Sequence, residues 1–331
     1  MVSVHTNSGG HGLFQLFNYG GLAVDVFFMM SGFVLTHSHH GDFEKLPGSL
    51  ALRFLYLRFW RTVPVHLITI CISLFISIIV FGFWPGALEV TRNIVFFDSW
   101  YVPPIARHIN VPVWSLGVEW MGYLAFPWLC WLLLSIRSFR VVAILVPTIL
   151  ALEIFLLSIN GTPIMAAIAG TEAFVRMAGS FFVGCLLWVG FQHPISRSLS
   201  GDWLMLAAIC AATIVLLVAD TAYSLGVLAC IVLLAARPGP ATAMVLGSPV
   251  CMFLGRISFS LYMVHYPIVR VFYFLQLNTS AGLPSGLFSA AAVAAAILTA
   301  TLVCVLAEEP LRRFGRALTR MVFPLPKARA V

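Results

Sequence analysis

Charge is what this chain has least of. Only 9% of its 331 residues are charged, where a soluble domain carries about 25%. With 61% hydrophobic residues and a mean hydropathy of +0.99, it has no means of covering a water-facing surface, and a soluble globular domain is excluded. Paired cysteines are missing too. The seven at 71, 130, 185, 210, 230, 251 and 304 lie within or at the ends of apolar stretches, with no Cys-x-x-Cys. That argues against a disulfide framework or a zinc site and for small hydrophobes in a helix core. The Gly9-Gly10 and Gly20-Gly21 pairs sit in no phosphate-binding fingerprint. The net charge of +7 does not imply nucleic acid, because the basic residues fall between apolar runs and in a C-terminal tail. Lysine is scarce, two of nineteen basic residues. Together with Ala-rich spans, that points to a GC-rich bacterial genome and an inner (cell) membrane.

What is present is a series of apolar runs. Nine approach or reach the roughly 17–25 residues of a membrane-crossing helix: 20–36, 62–83, 121–136, 141–159, 173–191, 203–219, 221–236, 257–277 and 285–307. The expected fold is all-α, a polytopic transmembrane helix bundle of about nine spans. It forms a single integral membrane domain over 1–331 that ends in a basic cytoplasmic tail, 312–331. The one long loop runs from 84 to about 113. Placing the tail inside puts fifteen of the nineteen basic residues on the cytoplasmic side, as the positive-inside rule requires. Nine spans then leave Met1 outside, although residues 1–19 are polar and Gly-rich with no signal peptide. A helix preceding Met1 would remove the conflict.

Ionisable groups near or inside spans are costly, and they either serve a site or bond another helix. Asp25, Glu119 and His265 are such groups, and each taken alone leaves both roles open. Arg58 and Arg61 are three apart and share a helix face, with Arg53 on a similar side. Paired guanidinium groups can grip phosphate, and equally they can anchor the chain on anionic lipid. His5 has the right chemistry for a general base. The His37-Ser38-His39-His40 cluster lacks a carboxylate or Cys ligand at helical spacing, so an interfacial segment is expected there and no metal. Glu308-Glu309-Pro310 closes the last span, with proline stopping the helix.

Five stretches in order carry a resemblance. They are Gly21 to Phe33 with Asp25 and Ser31; Arg58-Phe59-Trp60-Arg61 with Pro64; and Trp114-Ser115-Leu116-Gly117-Val118-Glu119 with Tyr123 and Pro127. Then come Ser258-Phe259-Ser260-Leu261-Tyr262 with His265 and Pro267, and Glu309-Pro310. Together they resemble the acyltransferase 3 family of integral membrane acyltransferases, whose members often O-acetylate surface carbohydrates. The resemblance covers nearly the whole chain. It implies ten spans, and a first helix in which an arginine and ten intervening residues precede a histidine. His5 resembles that histidine, which places the arginine before Met1. A further departure is Trp120-Met121, where the family commonly shows a second acid or a glutamine near Glu119.

The resemblance implies transfer of an acyl group, most often acetyl, from acyl-CoA (acetyl-CoA first of all) to a hydroxyl of a carbohydrate or lipid-linked glycan. Acyl-CoA is then a substrate, with no permanently bound cofactor. Arg58 and Arg61 would hold CoA phosphates on the cytoplasmic side. His5 would act as the base, and Glu119, on the outer side by the span count, would orient it or hold the acceptor. Tyr262 and His265 would line a path between the two sides. A small-solute or glycan transporter is the rival reading, although internal repeats and paired broken helices are not found. A catalytically inactive relative is the third.

Overall fold

The computed structural model describes residues 20–100, 109–198, 201–218, 221–278 and 285–324. Among these there is no strand. The helices are α1 (Ala23–His39), α2 (Ser49–Ile79), α3 (Ala87–Ile94), α4 (Val113–Leu133), α5 (Phe139–Ile159) and α6 (Gly170–Gln192), followed by α7 (Asp202–Val218), α8 (Ser224–Ala235), α9 (Pro240–Leu246), α10 (Pro249–Asn278), α11 (Ser285–Val303) and α12 (Glu309–Val322). Each of the nine apolar runs lies on one of them.

The chain is an all-α integral membrane protein. Five stretches are long and apolar enough to cross a membrane unaided: α2, α4, α5, α6 and the continuous Gly286–Val322. A sixth follows if α8 and α9, bent by 91° at their junction, form one span. The expected nine are not reached by length and composition alone, for local reasons. Helices α1 and α7 have 17 residues each, about 26 Å at 1.5 Å per residue against ~30 Å of hydrocarbon. Helix α10 has 30 residues but carries Arg256, His265 and Arg270.

The residues fall into two compact units. One comprises 1–40, 132–167 and 174–243 and so holds α1 and α5 to α8. Lipid supplies no hydrophobic drive between helices, so association relies on close packing through small residues. A Cβ at Gly32 of α1 would run into the Phe181 carbonyl of α6, and one at Gly184 of α6 into the backbone of Met29. Both obstacles are backbone, so the two glycines are required for α1 and α6 to touch. Leu22, Met29, Leu150, Val183, Leu225 and Ala229 fill the core beside them. At the far end Asp202 accepts hydrogen bonds from the Ala241 N–H (3.0 Å), the Thr242 N–H (2.8 Å) and the Thr242 hydroxyl (2.7 Å). These bonds pin the start of α9 to the start of α7.

The other unit comprises 41–131, 168–173 and 244–331 and is built on α2. This helix runs for 31 residues, about 46 Å. It begins thirteen residues before the apolar run at 62, so Arg53, Arg58 and Arg61 ride on the same rod as the span. Its buried residues include a polar row, Thr62, His66, Thr69, Ser73 and Ser77, spaced three or four apart and so on one side. Leu52, Phe59, Leu67, Phe75 and Ile79 are exposed, as suits side chains that face lipid.

Helix α4 starts with Val113 in one core cluster with Val65, half-way along α2. The stretch expected as a plain outer loop folds back into this unit. His66 Nε2 donates to the carbonyl of Asn93, at the end of α3 (3.0 Å). His66 lies thirteen residues, about 20 Å, before the end of α2. Phe96 has a left-handed backbone (φ 62°) and stacks on the His66 ring at 4.4 Å. Helices α10 and α11 pair, and α11 passes through a π-helical turn, Cys304–Glu308, into α12. That last helix lies along α2, where Gly315 abuts Trp60.

Candidate active site

In the first unit the structure gives Asp25 a partner that the sequence did not announce. Arg176 of α6 donates through Nε to Oδ1 (2.8 Å) and through Nη2 to Oδ2 (2.7 Å), and Nη2 also reaches the Gly21 carbonyl (2.6 Å). Both side chains are buried, at 1% and 0% exposure. Glu153 of α5 lies within electrostatic reach of both, and among the described residues neither of its carboxyl oxygens has a hydrogen-bond partner. Ser31 is half-buried on α1, one residue before the Gly32 contact. The Asp25 motif therefore holds α1 to α6. His37 and His40 serve packing, since Trp188 Nε1 donates to His37 Nδ1 (3.2 Å) and the indole stacks on His40 (4.7 Å).

In the second unit Arg58 is the hub. It lies within electrostatic reach of Arg61, Glu119, Tyr123 and Arg312 and packs over Phe54. The Tyr123 hydroxyl bonds the Glu119 carboxylate one turn back on α4. Glu119 and Arg58, which the span count puts on opposite sides, lie within electrostatic reach of each other, because α4 begins beside Val65, half-way along α2. Among the described residues the Nε atoms of Arg53, Arg58 and Arg312 are buried without a hydrogen-bond partner. Two acids, Glu119 beside Arg58 and Glu308 beside Arg312, face the three guanidinium groups of Arg58, Arg61 and Arg312, so the site keeps a surplus of positive charge and unspent donors. That is the chemistry of an anion cradle.

The remaining motif positions build the walls. The Tyr262 hydroxyl bonds Ser115 Oγ (2.7 Å) and donates to the Pro112 carbonyl (3.3 Å). Asn110 Nδ2 donates to the Met263 carbonyl (3.0 Å). The start of α4 is thus latched to α10. The Trp114 carbonyl accepts from Ser99 Oγ (2.9 Å), and Gly117 leaves room for that Ser99 side chain. Ser258 Oγ bonds only the Gly255 carbonyl (2.9 Å). Its neighbour Ser260 makes the long-range contact, donating to Glu308 (2.6 Å), which also pairs with Arg312 (3.9 Å). Glu309 pairs with Arg256 and Arg313. His265 Nδ1 meets the Tyr262 carbonyl (2.6 Å). His5 lies outside the described residues.

Sequence reasoning missed Arg176 and Glu153, and it assigned Arg312 to the tail. A lone arginine and a lone aspartate in separate apolar spans do signal one another, since neither is affordable alone. His66 offered no motif.

Guanidinium groups with unspent donors, gathered beside the α4–α10 latch, give an all-α membrane protein a site that can hold an anion. The chain belongs to the acyltransferase 3 family: the sequence model of this acyltransferase domain matches residues 1–309. Similar proteins include Acyltransferase MdmB of Streptomyces mycarofaciens, 32% identical over 129 residues, which are 36% of this chain and 30% of that protein. O-acetyltransferase OatA of Staphylococcus aureus is 24% identical over 302 residues, 77% of this chain and 47% of the relative. Peptidoglycan O-acetyltransferase OatA of Listeria monocytogenes is 24% identical over 202 residues, 54% and 30% respectively. The chain thus spans about half or less of the length of these curated relatives. No solved structure matches it.

Proposed function

We propose that the protein is a membrane O-acyltransferase that moves an acyl group, acetyl first of all, from acyl-CoA on the cytoplasmic side to a hydroxyl of a carbohydrate or lipid-linked glycan. The bacterial cell membrane is its place, with the C-terminus in the cytoplasm. The observation that carries this reading is the pair Arg58 and Arg312, which lie within electrostatic reach of each other and whose buried Nε donors lack partners among the described residues. Phosphate oxygens would satisfy them by charge-assisted hydrogen bonds. Two relatives named as O-acetyltransferases support acetyl as the group, and the one named for peptidoglycan supports a peptidoglycan-like hydroxyl as the acceptor class.

In the reaction the acceptor hydroxyl gives its proton to His5 as its oxygen attacks the thioester carbonyl. The carbon–sulfur bond breaks, and the thiolate leaves and takes up a proton. General-base assistance of this kind contributes about 10²–10⁴-fold. The test is transfer of label from radioactive acetyl-CoA to membrane glycan, comparing the wild type with Arg58→Gln and His5→Ala. Label that fails to reach glycan in the wild type, or that survives both substitutions undiminished, overturns the reading.

A further inference from the structure

Three buried polar atoms on α2 and α4 have no partner among the described residues: Arg58 Nε, Trp120 Nε1 and His66 Nδ1. Their side chains are linked by continuous contact. The His66 ring stacks on Phe96, whose centroid lies 6.4 Å from that of Trp120. Trp120 meets Tyr123 edge-on at 5.7 Å, and Tyr123 lies beside Arg58. From Arg58 to His66 is eight residues of helix, about 12 Å.

Each orphan has a fixed sense. A guanidinium and an indole N–H can only donate. The Asn93 carbonyl can only accept, so His66 Nε2 carries the proton of the neutral ring and leaves Nδ1 as an acceptor. His66 is 0% exposed, so water does not answer it from outside. Phe96 is a bulky residue at φ 62°, a conformation that persists only where the surroundings hold it. That strain keeps its ring against the imidazole and fixes the direction of Nδ1. Read from the cytoplasmic end, the seam asks for an anion, then a hydrogen-bond acceptor, then a hydrogen-bond donor. A phosphate followed by a secondary amide answers all three.

We propose that the seam between α2 and α4, from Arg58 to His66, seats the amide-bearing arm of the acyl donor. Arg58 takes a phosphate, Trp120 Nε1–H donates to an amide carbonyl, and His66 Nδ1 accepts an amide N–H. The thioester end then continues along the polar face towards Ser73, whose hydroxyl also lacks a partner. This assignment rests on acyl-CoA being the donor.

The experiment compares two ligands on the purified protein in lipid nanodiscs by calorimetry: CoA, and adenosine 3′,5′-bisphosphate, which keeps phosphates but has no arm. Both His66→Phe and Trp120→Phe keep an aromatic ring in place; Trp120→Phe removes only the proposed bond to the arm, whereas His66→Phe also removes the bond to the Asn93 carbonyl. Each should weaken CoA about tenfold, the worth of one such bond, and leave the bisphosphate unchanged, which also shows that the variant is folded. Arg58→Gln should weaken both ligands. CoA binding undiminished in both ring variants overturns the proposal, and so does equal weakening of the two ligands. Wild-type protein that binds the bisphosphate as tightly as CoA overturns the arm seat alone. Wild-type protein that binds neither overturns the acyl-CoA donor and this assignment with it.

Discussion

Removing one partner of the Asp25–Arg176 pair should harm the protein far more than removing both. The two side chains are 0% and 1% exposed, and the two Arg176–Asp25 hydrogen bonds are short. Stranding one charge of such a pair costs ~3–5 kcal/mol, roughly two to three and a half decades in the folded fraction. Arg176→Met should be the worse single change, because it leaves Asp25 and Glu153 together without a cation. In Asp25→Leu the neighbouring Glu153 can still answer Arg176. The double variant places two apolar side chains of similar bulk where the charges were, a replacement that is often neutral or better. Its stability should exceed that of Arg176→Met, with Glu153 the one acid left buried there, so that the two sites couple strongly. The assay is the fraction of protein that stays monodisperse in mild detergent after graded heating, measured for all four forms. A double variant as fragile as Arg176→Met alone, or a single variant as robust as the wild type, would refute the reasoning.

Three further outcomes follow from geometry already described. Gly184→Ala forces a methyl against the Met29 backbone and should cost ~1–3 kcal/mol of overpacking. Gly286→Ala, which meets nothing within 4 Å, is the control in the same heating assay. Arg312→Gln removes one guanidinium from the cradle; if this arginine binds phosphate, KM for acetyl-CoA rises about tenfold or more while kcat holds, and an unchanged KM removes it from the site. The hydrogen bonds from Thr242 and Ala241 hold the Asp202 carboxyl below its ordinary 3.8. A lowered carboxylate stabilises above its unfolded value and loses that contribution as pH falls through the folded one. Amide protection over 240–243, corrected for intrinsic exchange, should therefore be flat from roughly pH 5 to 8 and fall only below about pH 4; equal protection at pH 3 and 7 would contradict it.

The sequence announces helices better than depths. Hydropathy locates each helix because every run of lipid-facing side chains must lie on one. It cannot say that α2 continues thirteen residues beyond its apolar part, since a helix outside the hydrocarbon needs no apolar residue. Nor does hydropathy bring Arg58 within reach of Glu119. Its neighbours read as the outer edge of a span, whereas α4 starts half-way along α2 and its first turns are satisfied by Tyr262, Asn110 and Ser99. The polar face through His66 and Ser73 was invisible because each residue is unremarkable alone, and the pattern appears only when the helix phase is known. The five motifs were legible as motifs. Which of their members build walls, as Ser115, Gly117 and Tyr262 do, and which face the anion cradle is set by contacts between residues far apart in sequence, such as Ser115 with Tyr262 and Arg58 with Arg312.

The π-helical turn at Cys304–Glu308 sets a phase. Each residue of an α-helix advances about 100°, and a π turn holds one residue more than that geometry allows. Because of it Glu308 turns inward to Ser260 and Arg312, Glu309 turns to Arg256 and Arg313, and Gly315 arrives opposite Trp60. A chain shortened by one residue there would keep every arginine of α12 and present them about 100° away from α2. The cradle is thus specified partly by a count, the number of residues between Ala300 and Arg312. An inventory of residue types would pass such a deletion as harmless, yet it would turn every arginine of α12, Arg312 of the cradle included, away from α2 at once.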